Sequence, residues 1–197
     1  MGLPCIEIDV WQITDSEIVV FHDAFLERLT NASGFISETS YAELKNIPLK
    51  NGDRIPTLQE VIALIKPYDV ELIVEIKAEN AFEKTTEILT AFLPFTRYFI
   101  GSFFHQPILN LKQKNPEIRT AIMLEGVPVN VANYLQTVNP ELVVLSIETF
   151  NQEIISEVKK QGRKLIFYTV NTPPQIALAQ RAKPNAIITN FPDLFLT

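Results

Sequence analysis

A chain of 197 residues, 47% of them hydrophobic, is long and apolar enough for a single domain with a sizeable core, so disorder as a main theme is excluded. The formal net charge of −6 excludes binding of nucleic acid or an anionic membrane through bulk positive charge, although a small phosphate needs only a local cluster of cations. The lone Cys5 excludes an internal disulfide, and no run of 18 apolar residues and no cleavable leader occurs, so a cytoplasmic protein without stable membrane insertion is expected.

In chain order, a strand-like run at residues 5–11 is followed by another at 18–22. Only Gln12 to Glu17 separates them, too little for a crossover between parallel strands, so the two are expected to pair as a hairpin. A turn is read at 30–34. Thr57 followed by Glu60 has the spacing of a capping box and opens a helix at 58–66 behind Pro56. From there strands and helices alternate: strand 72–77, helix 81–93, strand 98–102, helix 108–114 with Pro107 in its first turn, and strand 119–124. A short helix at 131–137 precedes strand 142–146. Asn151 caps a helix at 152–161 that Gly162 stops, strand 165–170 follows, and Thr172-Pro173 opens a helix at 174–182. Strand 186–189 and a turn from Pro192 complete the chain.

This rhythm is the signature of βα units on a parallel sheet. Of the eight strands, removing the hairpin strand leaves seven parallel ones, whereas a closed (βα)8 barrel takes eight and typically about 250 residues. The expected fold is therefore α/β, a TIM-type (βα)8 barrel missing its first strand and helix and carrying one extra hairpin strand, as one domain over residues 1–197. A barrel short of one strand has two unpaired edges, so self-association through those edges is expected.

Strand period two places Glu7 and Asp9 together on one face of the first strand, with Ile6, Ile8 and Val10 on the other. The run Leu72-Ile73-Val74-Glu75-Ile76-Lys77 is apolar on both faces until Glu75 and Lys77 appear together at its carboxyl end, which in a parallel barrel is the end where active sites form. Taken alone, Glu75 and Lys77 are equally read as an ordinary ion pair. Three carboxylates converging on one barrel mouth, Glu7, Asp9 and Glu75, would repel one another unless a positive charge sat between them, and a hard divalent cation, Mg2+ or Ca2+, prefers such oxygen ligands. Lys77 is then placed to meet a substrate phosphate as a point charge. His22, at the end of the hairpin strand, is a candidate proton donor and acceptor near neutral pH. His105, read on a loop ahead of a helix, has no comparable support and is taken as structural.

Several spaced motifs resemble one family. Glu7-Ile8-Asp9-Val10, Val19-Val20-Phe21-His22-Asp23 and Leu26-Glu27-Arg28-Leu29-Thr30-Asn31 are similar to the E-x-D strand, HD strand and L-x-R-x-T-N turn of glycerophosphodiester phosphodiesterases, in the phospholipase C-like superfamily. Ile55-Pro56-Thr57-Leu58-Gln59-Glu60-Val61, Glu75-Ile76-Lys77, Tyr168-Thr169-Val170-Asn171 and Ile187-Ile188-Thr189-Asn190-Phe191-Pro192-Asp193 resemble later segments of that family in the same order. The resemblance implies metal ligation by Glu7, Asp9 and Glu75, acid/base work by His22 and phosphate contact by Lys77. It further implies a small-molecule substrate, a glycerophosphodiester hydrolysed to sn-glycerol 3-phosphate and an alcohol. The family's opening H-R-G strand and P-E-N-T segment do not occur in these 197 residues. With them go a second catalytic histidine and a phosphate-gripping arginine, and the activity of a chain without them is open. Tyr168 stands where the family has tryptophan, and Asn190 where it has aspartate. Two other readings remain: an inactive barrel serving as a binding module, and a phosphodiesterase acting on intact phosphatidylinositol or sphingolipid.

Overall fold

Apolar residues on one face and carboxylates on the other make the first run a strand, β1 (Cys5–Gln12), in the computed structural model, which describes residues 3–195. β2 (Ile18–Val20) turns back on it antiparallel, with Val10 opposite Val20 and Gln12 opposite Ile18, so the expected hairpin forms. It is shorter than read. The Val20 amide donates to the Pro56 carbonyl at 2.8 Å and Val19 bridges to Thr57, and although the Phe21 amide still reaches the Asp9 carbonyl at 3.0 Å, the His22 carbonyl accepts from a side chain, the Trp11 indole N–H at 3.4 Å. His22 therefore lies beyond the strand, at the start of a loop.

That loop is not structureless. Leu26, Ile36, Leu44 and Ile55 are buried with Ile13, Val19 and Phe21 in a core of their own, around a 3-10 turn at Ile36–Glu38 and a short helix, α1 (Tyr41–Leu44). The α1 helix starts on a capping box: the Ser40 hydroxyl accepts from the Glu43 amide at 3.3 Å, and the Glu43 carboxylate accepts from the Ser40 amide at 2.8 Å. The Lys50 ammonium donates to the carbonyls of both Glu27 and Arg28 at 2.9 Å, which ties down the turn that follows His22.

α2 (Leu58–Ile65) opens on the capping box expected of Thr57 and Glu60. β3 (Glu71–Ile76) then lies parallel to β1, in a register running from Cys5 opposite Glu71 to Val10 opposite Ile76. Leu72, Val74 and Ile76 are fully buried, so a one-residue slip would carry Glu75 into the apolar side, and the register is fixed by that cost. α3 (Phe82–Phe92) follows a 3-10 turn at Glu79–Ala81, and β4 (Tyr98–Ser102) comes next. The described chain divides within β4 into two units, the first ending at Ile100 and the second beginning at Gly101.

In the second unit α4 (His105–Lys114), β5 (Thr120–Leu124), α5 (Val131–Val138), β6 (Leu142–Ser146), α6 (Gln152–Lys160), β7 (Lys164–Tyr168), α7 (Pro173–Ala182) and β8 (Ala186–Ile187) alternate, ending in a 3-10 turn at Pro192–Phe195. β5, β6, β7 and β8 are parallel neighbours in that order. The Asn151 side chain caps α6, and Gly162 stops it with a left-handed φ of 69°, both as read. β7 and β8 end earlier than read, although the Ile188 amide still donates to the Phe167 carbonyl at 2.8 Å and the Val170 amide to the Ile188 carbonyl at 2.9 Å; beyond them Asn171 Oδ1 accepts from the Asn190 amide at 2.9 Å and the Thr189 hydroxyl at 3.3 Å.

His105 is the first residue of α4 rather than a loop residue, because the helix begins two residues ahead of Pro107. Its Nε2 lies 2.8 Å from the Met123 carbonyl and its Nδ1 2.6 Å from the Tyr134 hydroxyl. A carbonyl only accepts, so Nε2 carries the proton and Nδ1 accepts from the tyrosine. Burial lowers the His105 pKa against the opposing pull of the Met123 carbonyl, which favours the neutral ring, and burial raises the phenol of Tyr134. A histidine with a depressed folded pKa contributes stability above its unfolded value of 6.5 that is lost as pH falls below it. Tyr134→Phe leaves the half-buried Nδ1 without its donor and is expected to cost about 1 kcal/mol in urea unfolding at pH 8. An unchanged midpoint would show that the bond carries no stability.

Candidate active site

All the residues singled out for chemistry lie in the first unit. β1 supplies Glu7 and Asp9, β3 supplies Glu75, and Lys77 follows directly after β3. The parallel register sets Asp9 beside Glu75 and Glu7 beside Ile73. One carboxylate oxygen from each of Glu7, Asp9 and Glu75 lies within 4.8 Å of the other two, so the three acidic residues read from the sequence do converge.

Lys77 Nζ reaches into this cluster, 2.9 Å from Asp9 Oδ1 and 2.5 Å from Glu75 Oε1. Burial works against the Lys77 charge, but Glu75 and then Asp9 outweigh it and its pKa is raised, so the ammonium stays charged. Burial likewise raises Glu75, with Lys77 pulling in the opposite direction. Glu7 has no such contact. Burial, then Asp9, then Glu75 push its pKa from 4.5 up to about 8. Its Oε1 is buried and has no hydrogen-bond partner among the described residues. One ammonium cannot neutralise three carboxylates, so without a further cation Glu7 keeps its proton, and its buried orphaned oxygen still lacks a partner that a metal ion would supply. The set offers only anionic oxygen donors, which suits a hard divalent ion and no soft one. Glu7, Asp9 and Glu75 are thus the residues that can hold a metal ion, and the donor set fits one.

His22 is not one of the three converging carboxylate residues and its side chain is 61% exposed, although it is near enough to Glu75 to act on its charge. Its Nδ1 lies 2.6 Å from Asp23 Oδ1. Arg28 closes on the same carboxylate from the other side, Nη2 donating to Oδ1 at 2.6 Å and Nε donating to Oδ2. The hydrogen bond from Arg28 is the main reason the Asp23 pKa falls to about 2, with His22 adding to it. The link among His22, Asp23 and Arg28 was not read from the sequence. An aspartate next to the histidine and an arginine in the turn beyond it were visible there, but nothing in their spacing showed that the turn folds back.

These strands and loops recur in known proteins. A model of the glycerophosphoryl diester phosphodiesterase family matches residues 1–194. The chain belongs to that family. A glycerophosphodiester phosphodiesterase of Caldanaerobacter subterraneus subsp. tengcongensis is 28% identical over 211 residues, covering 100% of this chain and 86% of that protein. One from Bacillus altitudinis is 26% identical over 211 residues, covering 98% of this chain and 84% of its own length. Among solved structures, an Oleispira antarctica phosphodiesterase in complex with the product sn-glycerol-3-phosphate superposes with a TM-score of 0.89 at 25% identity, covering 98% of this chain and 83% of that one. The family's α/β-barrel fold class is thereby the fold class of this chain. Among the described residues of this family member, no helix is long and apolar enough to cross a membrane.

Proposed function

We propose that this phosphodiesterase-family protein hydrolyses glycerophosphodiesters to sn-glycerol 3-phosphate and an alcohol, and that it does so as one domain across residues 1–197 with Mg2+ or Ca2+ held by Glu7, Asp9 and Glu75. The observation that carries the reading is the trio of carboxylates within 4.8 Å, one of them with an orphaned buried oxygen, in a chain that resembles a phosphodiesterase bound to sn-glycerol-3-phosphate. In the reaction a water oxygen bonds to phosphorus, the bond from phosphorus to the alcohol oxygen breaks, and the alcohol departs with a proton. A bound divalent ion would supply charge neutralisation at the phosphoryl oxygens and orientation of the substrate. Lys77, held protonated by Asp9 and Glu75, adds a fixed positive charge for the phosphate. His22 presents its exposed ring to trade a proton with the attacking or leaving oxygen.

The test is direct. The purified chain is incubated with glycerophosphocholine, and separately with intact phosphatidylinositol and sphingomyelin, in Mg2+, in Ca2+ and in chelator, and released glycerol 3-phosphate or phosphorylated head group is measured. Glycerol 3-phosphate from glycerophosphocholine, abolished by chelator, is the expected result. Metal binding without turnover of any of these substrates would overturn the activity and leave a binding module; turnover of the intact lipids alone would overturn the substrate.

A further inference from the structure

Among the described residues, the link running from Arg28 through Asp23 to His22 is the arrangement that the proposed reaction does not by itself account for. Asp23 sits at 19% side-chain exposure between two exposed partners, His22 at 61% and Arg28 at 60%. An isolated surface pair of this kind is worth little to stability. Here, though, both carboxylate oxygens are engaged, Oδ1 by Arg28 Nη2 and His22 Nδ1 and Oδ2 by Arg28 Nε, so the guanidinium grips the carboxylate as a two-pronged fork. The turn beneath is fixed as well. Leu26 is buried, the Thr30 hydroxyl donates to the Leu26 carbonyl at 2.8 Å, and Lys50 holds the carbonyl of Arg28 itself. Two anchored segments thus hold one carboxylate against one ring nitrogen.

We propose that Asp23, clamped by Arg28, is the positioning residue for His22, holding its ring with the proton on Nδ1 so that Nε2 is the nitrogen that exchanges protons with substrate. An ionised carboxylate only accepts hydrogen bonds, so the nitrogen facing it must be the protonated one. Arg28 keeps Asp23 ionised throughout the working range, with its pKa near 2, and so that tautomer holds whenever the ring is neutral. The same carboxylate stabilises the imidazolium formed once Nε2 has taken a proton, which is how an aspartate serves a catalytic histidine on unrelated folds. Arg28 touches neither the ring nor, on this reading, the substrate; it acts through Asp23. The inference rests on His22 being the acid/base group of the proposed hydrolysis.

Long-range 1H–15N correlation spectra of the imidazole nitrogens, recorded where the ring is neutral, read the tautomer without any assay of turnover. The intact protein is expected to show His22 with its proton on Nδ1. In Asp23→Ala the ring loses the acceptor that holds its proton on Nδ1, so the proton is expected to move toward Nε2. Activity toward glycerophosphocholine should fall about 10- to 100-fold in kcat, with KM little changed, the scale of losing a group that orients a histidine. Arg28→Gln should fall in the same direction by less, and Arg28→Lys should not restore it, because an ammonium has no fork. Neither partner is part of a buried core, so unfolding midpoints close to the parent would show that the variants fold. A His22 tautomer unchanged in Asp23→Ala would overturn the proposal, as would kcat unchanged in both Asp23→Ala and Arg28→Gln. Absence of turnover in the parent protein would overturn the substrate reading, while the tautomer measurement would still decide this one.

Discussion

Glu7→Gln is expected to lose about 10³-fold in glycerophosphodiester turnover and most of its divalent-metal affinity, while making the metal-free protein more resistant to unfolding at alkaline pH. The opposite signs have one origin. In the metal-free cluster Glu7 holds its proton up to about pH 8, driven there by burial, by Asp9 and by Glu75. A carboxyl raised from 4.5 contributes stability that is fully present below pH 4.5 and lost as pH rises toward 8, because only the folded state keeps the proton. The charged groups facing it from β1 and β3 and the residue after β3 are Asp9, Glu75 and Lys77, and only the last is positive. A neutral amide at position 7 removes the alkaline penalty. It also removes an anionic ligand, and losing several kcal/mol of transition-state stabilisation at about 1.36 kcal/mol per tenfold gives the rate loss. Metal binding to the parent at pH 7 should displace close to one proton, so affinity should climb with pH until about 8 and then level. Calorimetry in two buffers of different ionisation enthalpy counts that proton. Equal metal affinity in Glu7→Gln and the parent would remove Glu7 from the site.

The sequence made this cluster readable because its placement depends on strand patterning alone. Strand alternation put Glu7 and Asp9 on one face, and the apolar run ahead of Glu75 identified a strand buried on both sides; pairing the two strands does the rest. What was not readable is whatever depends on a loop's path. Residues 23–56 showed only a turn, although Ser40 and Glu43 have the same capping-box spacing as Thr57 and Glu60 and would have located α1. Buried Leu26, Ile36, Leu44 and Ile55 form a core there without a helix-length or strand-length period, so no pattern announces it. The contact of Arg28 with Asp23 follows from that core and was hidden with it. Lys77 is a different case. Its position was clear, but whether it pairs with carboxylates or waits for phosphate turns on distances, and in the structure it pairs with both Asp9 and Glu75.

His22→Ala is expected to lower kcat by about 10² to 10⁴, the range for removing one proton-transfer group, without weakening metal binding. The carboxylates that can hold the ion are Glu7, Asp9 and Glu75, whereas the Nδ1 of His22 is taken up by Asp23 in the loop beyond β2. A substrate series then shows which oxygen His22 serves. If it delivers a proton to the departing alcohol, replacing choline by nitrophenol, which leaves readily as its anion, makes that proton unnecessary, and the loss in His22→Ala should shrink toward parity with the parent. If it takes a proton from the attacking water, the loss should be the same for both leaving groups. Either pattern, with calorimetric metal affinity unchanged, places His22 at the reacting oxygens. Equal kcat for parent and His22→Ala on glycerophosphocholine would place the acid/base work elsewhere in the chain, and a fall in metal affinity would instead make His22 part of the metal site.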